Sequence, residues 1–488
     1  MSTLSVLLRN TGLSVGSDLS LRIANTVLFV SITHFLGADL AGAFSLGVTY
    51  YLITSRFGFW GFDHLLVREV SPKRDLAPKF LLNFGVIRIG IAGLLILVVS
   101  LVVWNLPYSL TTRIVIIVML LAVLPENISN LCQSVYIAQQ RLEFVGLVSV
   151  VVAATTIGLS LVVLASGASV IALAAVFTLN SFVGLAVYLW LLLPQFSGSV
   201  TRLDFAFCRR YLHLALPFVL ISSVFVVDNR TDVLLVSFLL DERSVGIYTA
   251  ALTIVTALAL LPQGVRTAIF PVLAQRFRTA SEGTDELYES VFKHLLIMAL
   301  PVAAGVGLLA GPIINLLYPP EFAPAAGALR ILVWWFVFYS LNVLNSRVLI
   351  VKNEQRLIAR FLVIGLAVNA LVSVLLTPRI GLNGAAAARV AAAAAIFIQS
   401  ELAIRRVVGK ASLLTILVRP ILACAAMAAV VWLVGDLGIW LKVLIGAAVY
   451  TGFVAINGTF THEEKTKWRK TLTEVFRKRA VHDTTGAE

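Results

Sequence analysis

The sequence predicts an all-α protein that crosses a membrane about fourteen times, as two similar six-span halves followed by two further spans. Three observations predict it. The first is composition: 59% of the 488 residues are hydrophobic and only 13% charged, about half the charged share of a soluble domain. The second is the placement of basic residues, which gather in alternate loops between apolar runs. The third is an internal repeat.

Runs long enough to span, about 20 residues each, lie at 13–36, 40–62, 80–104, 114–138, 144–165, 169–193, 213–238, 245–271, 292–317, 326–350, 358–377, 383–404, 413–435 and 438–459. With a cytoplasmic N-terminus, the inner loops carry Arg68, Lys73, Arg74 and Lys79, then Arg141, then Arg202, Arg209 and Arg210. They continue with Arg276, Arg278 and Lys293, with Lys352, Arg356 and Arg360, and with Arg405, Arg406 and Lys410. The outer loops carry only Arg113, Arg243 and Arg379. This bias orients the chain with both termini inside. The net charge of +13 is spread between apolar runs rather than gathered in a patch, so it reads as topology and not as nucleic-acid binding. Residues 1–12 lack the tripartite pattern of a cleavable signal.

The repeat appears in two places. Asn127, Asn130, Gln140 and Arg141 recur 215 positions later as Asn342, Asn345, Gln355 and Arg356. Gly42 and Phe44, in the first hairpin, correspond to Gly246 and Tyr248 in the hairpin between spans seven and eight. Six spans per copy is even, so both copies insert the same way up. The expected organisation is an amino-terminal lobe at 1–193, an inter-lobe linker at 194–212 and a carboxy-terminal lobe at 213–407. Two extra helices at 408–459 and a basic tail at 460–488 complete it. Two such lobes enclose a central site that rocking exposes to each side in turn. In the tail, Trp468, Leu472, Val475 and Phe476 share a helical face among Lys and Arg, the pattern of a helix lying on an anionic leaflet.

Ionisable groups inside spans are expensive and therefore informative. Residues 209–277 hold Asp228, Arg230 and Asp232 in one apolar run and Arg266 in the next. Most intramembrane charges are Arg, whose forked guanidinium stays charged when buried and suits phosphate. Arg22, Arg88, Arg230, Arg266 and Arg389 are the candidate cavity residues for an anionic, pyrophosphate-like headgroup. Arg266 can also be read as snorkelling to the nearby interface. The acids Asp18, Glu126, Asp228 and Asp232 are the ion-coupling candidates. Asp18 and Arg22, four apart, can equally pair locally. Asp228 and Asp232 share a helical face and titrate as a coupled pair if desolvated, unless each finds an Arg on a neighbouring span. Glu126 follows Pro125 within span four. The sequence offers no Cys/His cluster, no phosphate-cradling glycine loop and no paired catalytic carboxylates, so neither metal, cofactor nor enzymatic activity is expected. Cys132, Cys208 and Cys424 form no disulfide framework.

These residues carry a resemblance. HFLGADLAGAFSLG, GFDHLLVREVS, DERSVGIYTAA, IFPVLAQRF, LYPPEFAPAAGALRIL and LTPRIGLNGAAAARVA are together similar to the polysaccharide-transporter branch of the MOP exporters, across residues 13–407. The family's LYG turn reads Leu317-Tyr318-Pro319 here. The resemblance implies a MATE/MOP-like fold and a Wzx-type flippase. Such a protein moves an undecaprenyl-pyrophosphate-linked oligosaccharide across the bacterial plasma membrane through a cationic cavity, with ion-gradient coupling. It also implies as partners the lipid-linked glycan, membrane lipids, a polysaccharide polymerase and other assembly proteins. A lipid II flippase and a MATE-type cation-coupled drug exporter are the rival readings. The drug exporter would favour acids over arginines in its cavity.

Overall fold

The computed structural model describes residues 3–59, 61–196, 202–263, 284–406, 413–435 and 437–457. Within them it describes all side chains except those of 3–24, 59, 64, 193, 196, 215–228, 284–285 and 413–416. The side chains of Asp18, Arg22 and Asp228, all of Arg266 and the basic tail lie outside the described residues.

The described elements are helices: α1 (Thr3–Phe59), α2 (Phe62–Val70), α3 (Ala77–Trp104), α4 (Leu110–Leu120), α5 (Val123–Ala138), α6 (Leu142–Ala165), α7 (Val170–Leu192), α8 (Phe205–Leu239), α9 (Glu242–Leu258), α10 (Thr284–Leu308), α11 (Ala310–Leu317), α12 (Ala325–Leu332), α13 (Trp334–Val351), α14 (Gln355–Ile380), α15 (Leu382–Arg405), α16 (Leu413–Leu433) and α17 (Ile439–Ile456). Eleven stretches among the described residues are long and apolar enough to cross a membrane, and Leu417–Leu433 is a shorter apolar helix. The protein is therefore a multi-span membrane protein. Leu94, Leu97 and Leu101 stand exposed along α3, and Trp432, Leu433 and Trp440 on the last two helices. In water such surfaces would be unfavourable; a bilayer solvates them.

Local sequence explains the breaks. α1 holds the first two predicted spans as two legs that turn at Gly37. There φ is +75°, which glycine tolerates, and Glu321 Oε1 accepts from the Ala38 N–H at 3.0 Å. Span four divides at 121–122 into α4 and α5, just before Pro125, and span ten divides at Val333 into α12 and α13. Asp204, Asp241 and Ser109 cap α8, α9 and α4, accepting from Phe207 N, Ser244 N and Thr112 N at 2.9, 2.7 and 3.2 Å. Each satisfies an amide that the first helical turn leaves unpaired. The Phe207 amide, with Lys79 Nζ at 2.9 Å, holds the Asp204 carboxyl below the usual carboxylate range.

Two turns of like geometry recur, at a spacing that differs from that of the polar identities. Gln140 and Asn353, 213 positions apart (140 and 353), are the two non-glycine residues with positive φ among the described residues, at 60° and 61°. The surrounding hydrogen bonds keep the same spacing: Arg141 N to Tyr136 O matches Glu354 N to Leu349 O, and Gln139 N to Val135 O matches Lys352 N to Val348 O. The sequence identities at 215 are thus two residues out of step, about 200° round a helix. Asn342 is not the structural counterpart of Asn127. Backbone geometry places Ser340 there, and Tyr339 opposite Glu126.

The other repeated pair is in register and in contact. A Cβ built on Gly42 would lie 1.8 Å from the Glu242 carbonyl oxygen, and one on Gly246 would lie 2.2 Å from that of Ala38. Each glycine meets the carbonyl four residues before the other. That reciprocity is the local signature of a two-fold relation, and it brings α1 and α9 together at one end of the bundle. We call this end the hairpin face and the opposite one, with the Arg/Lys-rich loops, the basic face.

A large core joins α1 to α4, α7, α9, α10, α12 and α13. A second cluster lies toward the basic face, where Phe62, Phe80 and Phe84 meet Phe207 and Tyr211. The first turns of α8 thus pack on the amino-terminal half, although α8 continues beside α14. The last two helices attach to α10: Tyr450 donates to Ile297 O at 2.9 Å, next to Met427, Val431 and Leu309.

Candidate functional site

The most elaborate polar cluster inside the described spans lies in the carboxy-terminal half. Its framework is α15, whose Ala-rich segment lets neighbouring backbones approach closely, as small residues do in membranes. A Cβ on Gly384 would lie 2.5 Å from the Leu376 carbonyl carbon of α14, and one on Gly365 would lie 2.6 Å from Ile396. Ala385, Ala386, Ala388, Ala392 and Ala393 are buried around this seam. Arg389 is the one long side chain on that surface, and it reaches α8. Its Nη1 donates to Asp232 Oδ2 at 2.8 Å and to Asn229 O at 3.4 Å.

Asp232 is fully buried and also accepts from Tyr248 Oη at 2.7 Å. The Arg389 guanidinium lies 4.9 Å from the Trp335 ring centre, and Trp335 stacks on Tyr339 at 4.7 Å. A buried carboxylate is tolerable only with such partners. Beside the ion pair is a cavity of about 90 Å³, lined by Asn229, Trp335, Tyr339, Asn342, Asn369 and Arg389, among others. Arg230, half-buried, lies within electrostatic reach of both Asp232 and Arg389. The structure therefore brings two predicted residues, Asp232 and Arg389, into contact, with a third, Arg230, within electrostatic reach. Asp232 has found its arginine on a neighbouring span, one of the two fates the sequence left open. Tyr248 and the cavity asparagines were missed, because neutral side chains give no charge signal in an apolar run.

The other two described candidates, Arg88 and Glu126, lie in the amino-terminal half. Arg88 is fully buried; Nη2 meets Asp63 at 2.8 Å, Nη1 donates to Asn127 O at 2.9 Å, and Phe62 lies 5.9 Å from its guanidinium carbon. Its charge is matched within this cluster, where α2, α3 and α5 meet. Asp63 sits just past the end of the predicted span 40–62 and gave no sign of this role. Removing one member of a buried pair costs about 3–5 kcal/mol. Asp63→Asn leaves Arg88 without its counter-charge and is expected to lower the unfolding temperature in detergent, whereas Glu69→Gln, at the exposed Arg68 pair, leaves it unchanged. Equal melting of the two variants would refute the structural role.

Glu126 falls in the first turn of α5, just past the break in span four. It accepts from Ser55 Oγ at 2.8 Å and from Tyr51 Oη, both on the second leg of α1. This is a partly buried acid with two hydroxyl donors on one oxygen.

At the hairpin face the halves are joined directly. Arg243 bridges Asp39 at 3.0 Å and Glu321 at 3.1 Å. Glu242 accepts from Ser109 N at 2.6 Å, Ser109 Oγ at 2.9 Å and Thr112 Oγ1 at 2.5 Å. Below them Tyr108 links Ser237, at 2.7 Å, to Tyr50, at 3.2 Å. With the Gly42–Gly246 contact, these bonds close that end.

Comparison with known proteins follows the same lines. A family model described as "Polysaccharide biosynthesis protein" matches residues 35–327. A structure of the lipid II flippase MurJ in an inward closed conformation superposes with a TM-score of 0.73 at 17% identity, over 92% of this chain and 98% of that one. An inward-facing multidrug resistance MATE family transporter of the MOP superfamily superposes at 0.63 and 16% identity, over 81% and 96%. An uncharacterised membrane protein of Methanocaldococcus jannaschii, MJ1068, is 32% identical over 98 residues, 20% of this chain and 19% of that protein. The chain thus matches about a fifth of that relative's length. At these identities the two structures show the fold, which is that of the MOP transporters.

Proposed function

Because the chain belongs to the polysaccharide biosynthesis protein family and folds as a MOP-type transporter, we propose that it is a flippase for a polyprenyl-pyrophosphate-linked oligosaccharide. The observation that carries this reading is Arg389, paired with Asp232 beside an internal cavity, with Arg230 within electrostatic reach of both. Two guanidinium groups against one acid suit a diphosphate and disfavour an organic cation. In this reading the two halves are the moving lobes and the basic face is cytoplasmic, with both termini on that side. Arg230 and Arg389 attract the pyrophosphate, and Arg22 and Arg266 are the further candidates for that role, outside the described side chains. Arg88, held by Asp63, steadies the amino-terminal lobe. Glu126, with Tyr51 and Ser55, is the coupling candidate described most fully, and Asp18, Asp228 and Asp232 are the other candidates. The structure superposes on a lipid II flippase over nearly its whole length, which supports a second reading with a lipid-linked muropeptide as cargo and the same pyrophosphate chemistry.

The test is flipping of fluorescent polyprenyl-pyrophosphate glycans in proteoliposomes. Losing one charged hydrogen-bonding contact is worth about 1.5–3 kcal/mol, so Arg230→Ala is expected to slow flipping about tenfold to a hundredfold while the protein stays folded. Glu126→Gln is expected to remove the response to a pH gradient. Wild-type vesicles that move no lipid-linked glycan but expel cationic dyes would overturn the proposal. Preference for lipid II over a simple oligosaccharide carrier would select the second reading.

A further inference from the structure

The carboxy-terminal half buries another acid, well away from Asp232. Glu401, in the last turn of α15 toward the basic face, is 5% exposed. Its Oε2 lies 2.8 Å from Tyr288 Oη of α10, and its Oε1 lies 3.2 Å from Nε of Arg405, which is half-exposed. Tyr288, fully buried, lies also 2.9 Å from Oδ1 of Asn345. The chain continues from Asn345 Nδ2 to Ser400 Oγ at 3.0 Å, and from Ser400 Oγ to Asn342 Oδ1 at 3.3 Å. Asn342 lines the cavity that holds Arg389.

Counting protons gives this arrangement a meaning. A tyrosine hydroxyl has one proton, yet Tyr288 faces two acceptors, a carboxylate oxygen and an amide oxygen. Both contacts become hydrogen bonds if Glu401 is protonated. Glu401 then donates to Tyr288, Tyr288 to Asn345, Asn345 to Ser400 and Ser400 to Asn342. If Glu401 is ionised, Tyr288 donates to it instead. Asn345 must then turn its amide to donate to Tyr288, Ser400 donates to Asn345, and Asn342 turns likewise. Every donor in the row reverses with one proton. An amide and a hydroxyl can each serve as donor or acceptor; Ser400 Oγ also lies 2.9 Å from Phe397 O, and Asn342 Nδ2 donates to Ala393 O at 3.2 Å, a bond that the turned Asn342 gives up.

We propose that Glu401 is a proton-binding site at the basic face. Uptake of one proton from water reverses the Tyr288–Asn345–Ser400–Asn342 row and so reports to the cavity under Arg389. The proton adds to Glu401 Oε2 and returns to water by the same end, beside the half-exposed Arg405. The titratable groups in contact with Glu401 are Arg405, on its own helix, and Tyr288, on α10. The packed elements carry further charges near this end: Glu289 and Lys293 on α10, Arg347 on α13 and Arg356 and Arg360 on α14.

The test is an infrared difference titration of the full-length protein in lipid nanodiscs, without lipid-linked glycan, so that its failure leaves the flippase proposal standing. A carboxylic-acid carbonyl band that rises as pH falls is expected in the wild type, to be missing in Glu401→Gln and to persist in Glu126→Gln. An asparagine or glutamine amide band should shift with it. Tyr288→Phe removes the donor to the ionised carboxylate and is expected to move the midpoint to higher pH. That variant decides the matter if Glu401→Gln does not fold. A titration that is identical in wild type, Glu401→Gln and Tyr288→Phe overturns the proposal, as does a wild type with no such band.

Discussion

Arg389→Met is expected to destabilise the protein by about 3–5 kcal/mol, because it strands a fully buried carboxylate. Tyr248 would still donate to Asp232, but one neutral hydrogen bond does not replace a counter-charge in a low-dielectric interior. Asp232→Asn alone should cost a similar amount by leaving Arg389 buried. The double variant Asp232→Asn/Arg389→Met should recover most of the stability, since a neutral pair of similar shape removes both desolvation penalties together. Flipping of the lipid-linked glycan should not recover with it, because the positive charge beside the cavity is gone. Thermal unfolding and flipping, measured on the same four proteins, therefore separate the structural role of Arg389 from its proposed binding role. Additive losses of stability in the double variant would mean that the two groups are not coupled. Recovery of flipping together with stability would remove Arg389 from the binding site.

The residues show what the sequence could and could not reveal. Spans were legible because each crossing has to satisfy its own backbone inside an apolar run. The Gly42/Gly246 correspondence was legible because backbone approach admits almost no other residue. The Arg389–Asp232 pair was only half legible. Both charges stood out, but 157 positions separate them, and helix spacing on one span says nothing about rotation toward another. Arg88 is the mirror case: its charge stood out inside a span, while Asp63, its partner, lay just past a span end where an acid is unremarkable. Glu401 was missed for the same reason, being within a turn of a basic loop. The two-residue error in the repeat register came from matching polar identities, which drift between repeats, whereas the turns at Gln140 and Asn353 preserve backbone geometry.

Gly246→Val is expected to open the hairpin face. An added Cβ would meet the Ala38 carbonyl oxygen at 2.2 Å and the Gly42 amide nitrogen at 2.9 Å. These are backbone atoms on the opposite half, so no side chain can swing away to relieve the clash. Overpacking of a close seam costs about 1–3 kcal/mol or more, and the penalty falls only on the state in which α1 and α9 touch. The halves can escape it by separating at this end, which the exposed Arg243 bridges resist only weakly; surface ion pairs are worth about 0–1 kcal/mol. A thiol introduced by Thr112→Cys reports the outcome, because Thr112 is fully buried under Glu242. In a background whose three native cysteines are replaced by Ala, labelling at this position should rise at least about tenfold with Gly246→Val, the effect of about 1.4 kcal/mol on the open population. Arg243→Gln should raise it far less. Were Arg243→Gln to match Gly246→Val, ion pairing and not glycine contact would hold the face shut. Unchanged labelling in both would mean that the seam does not separate, and the rocking of two halves about this contact would have to be abandoned.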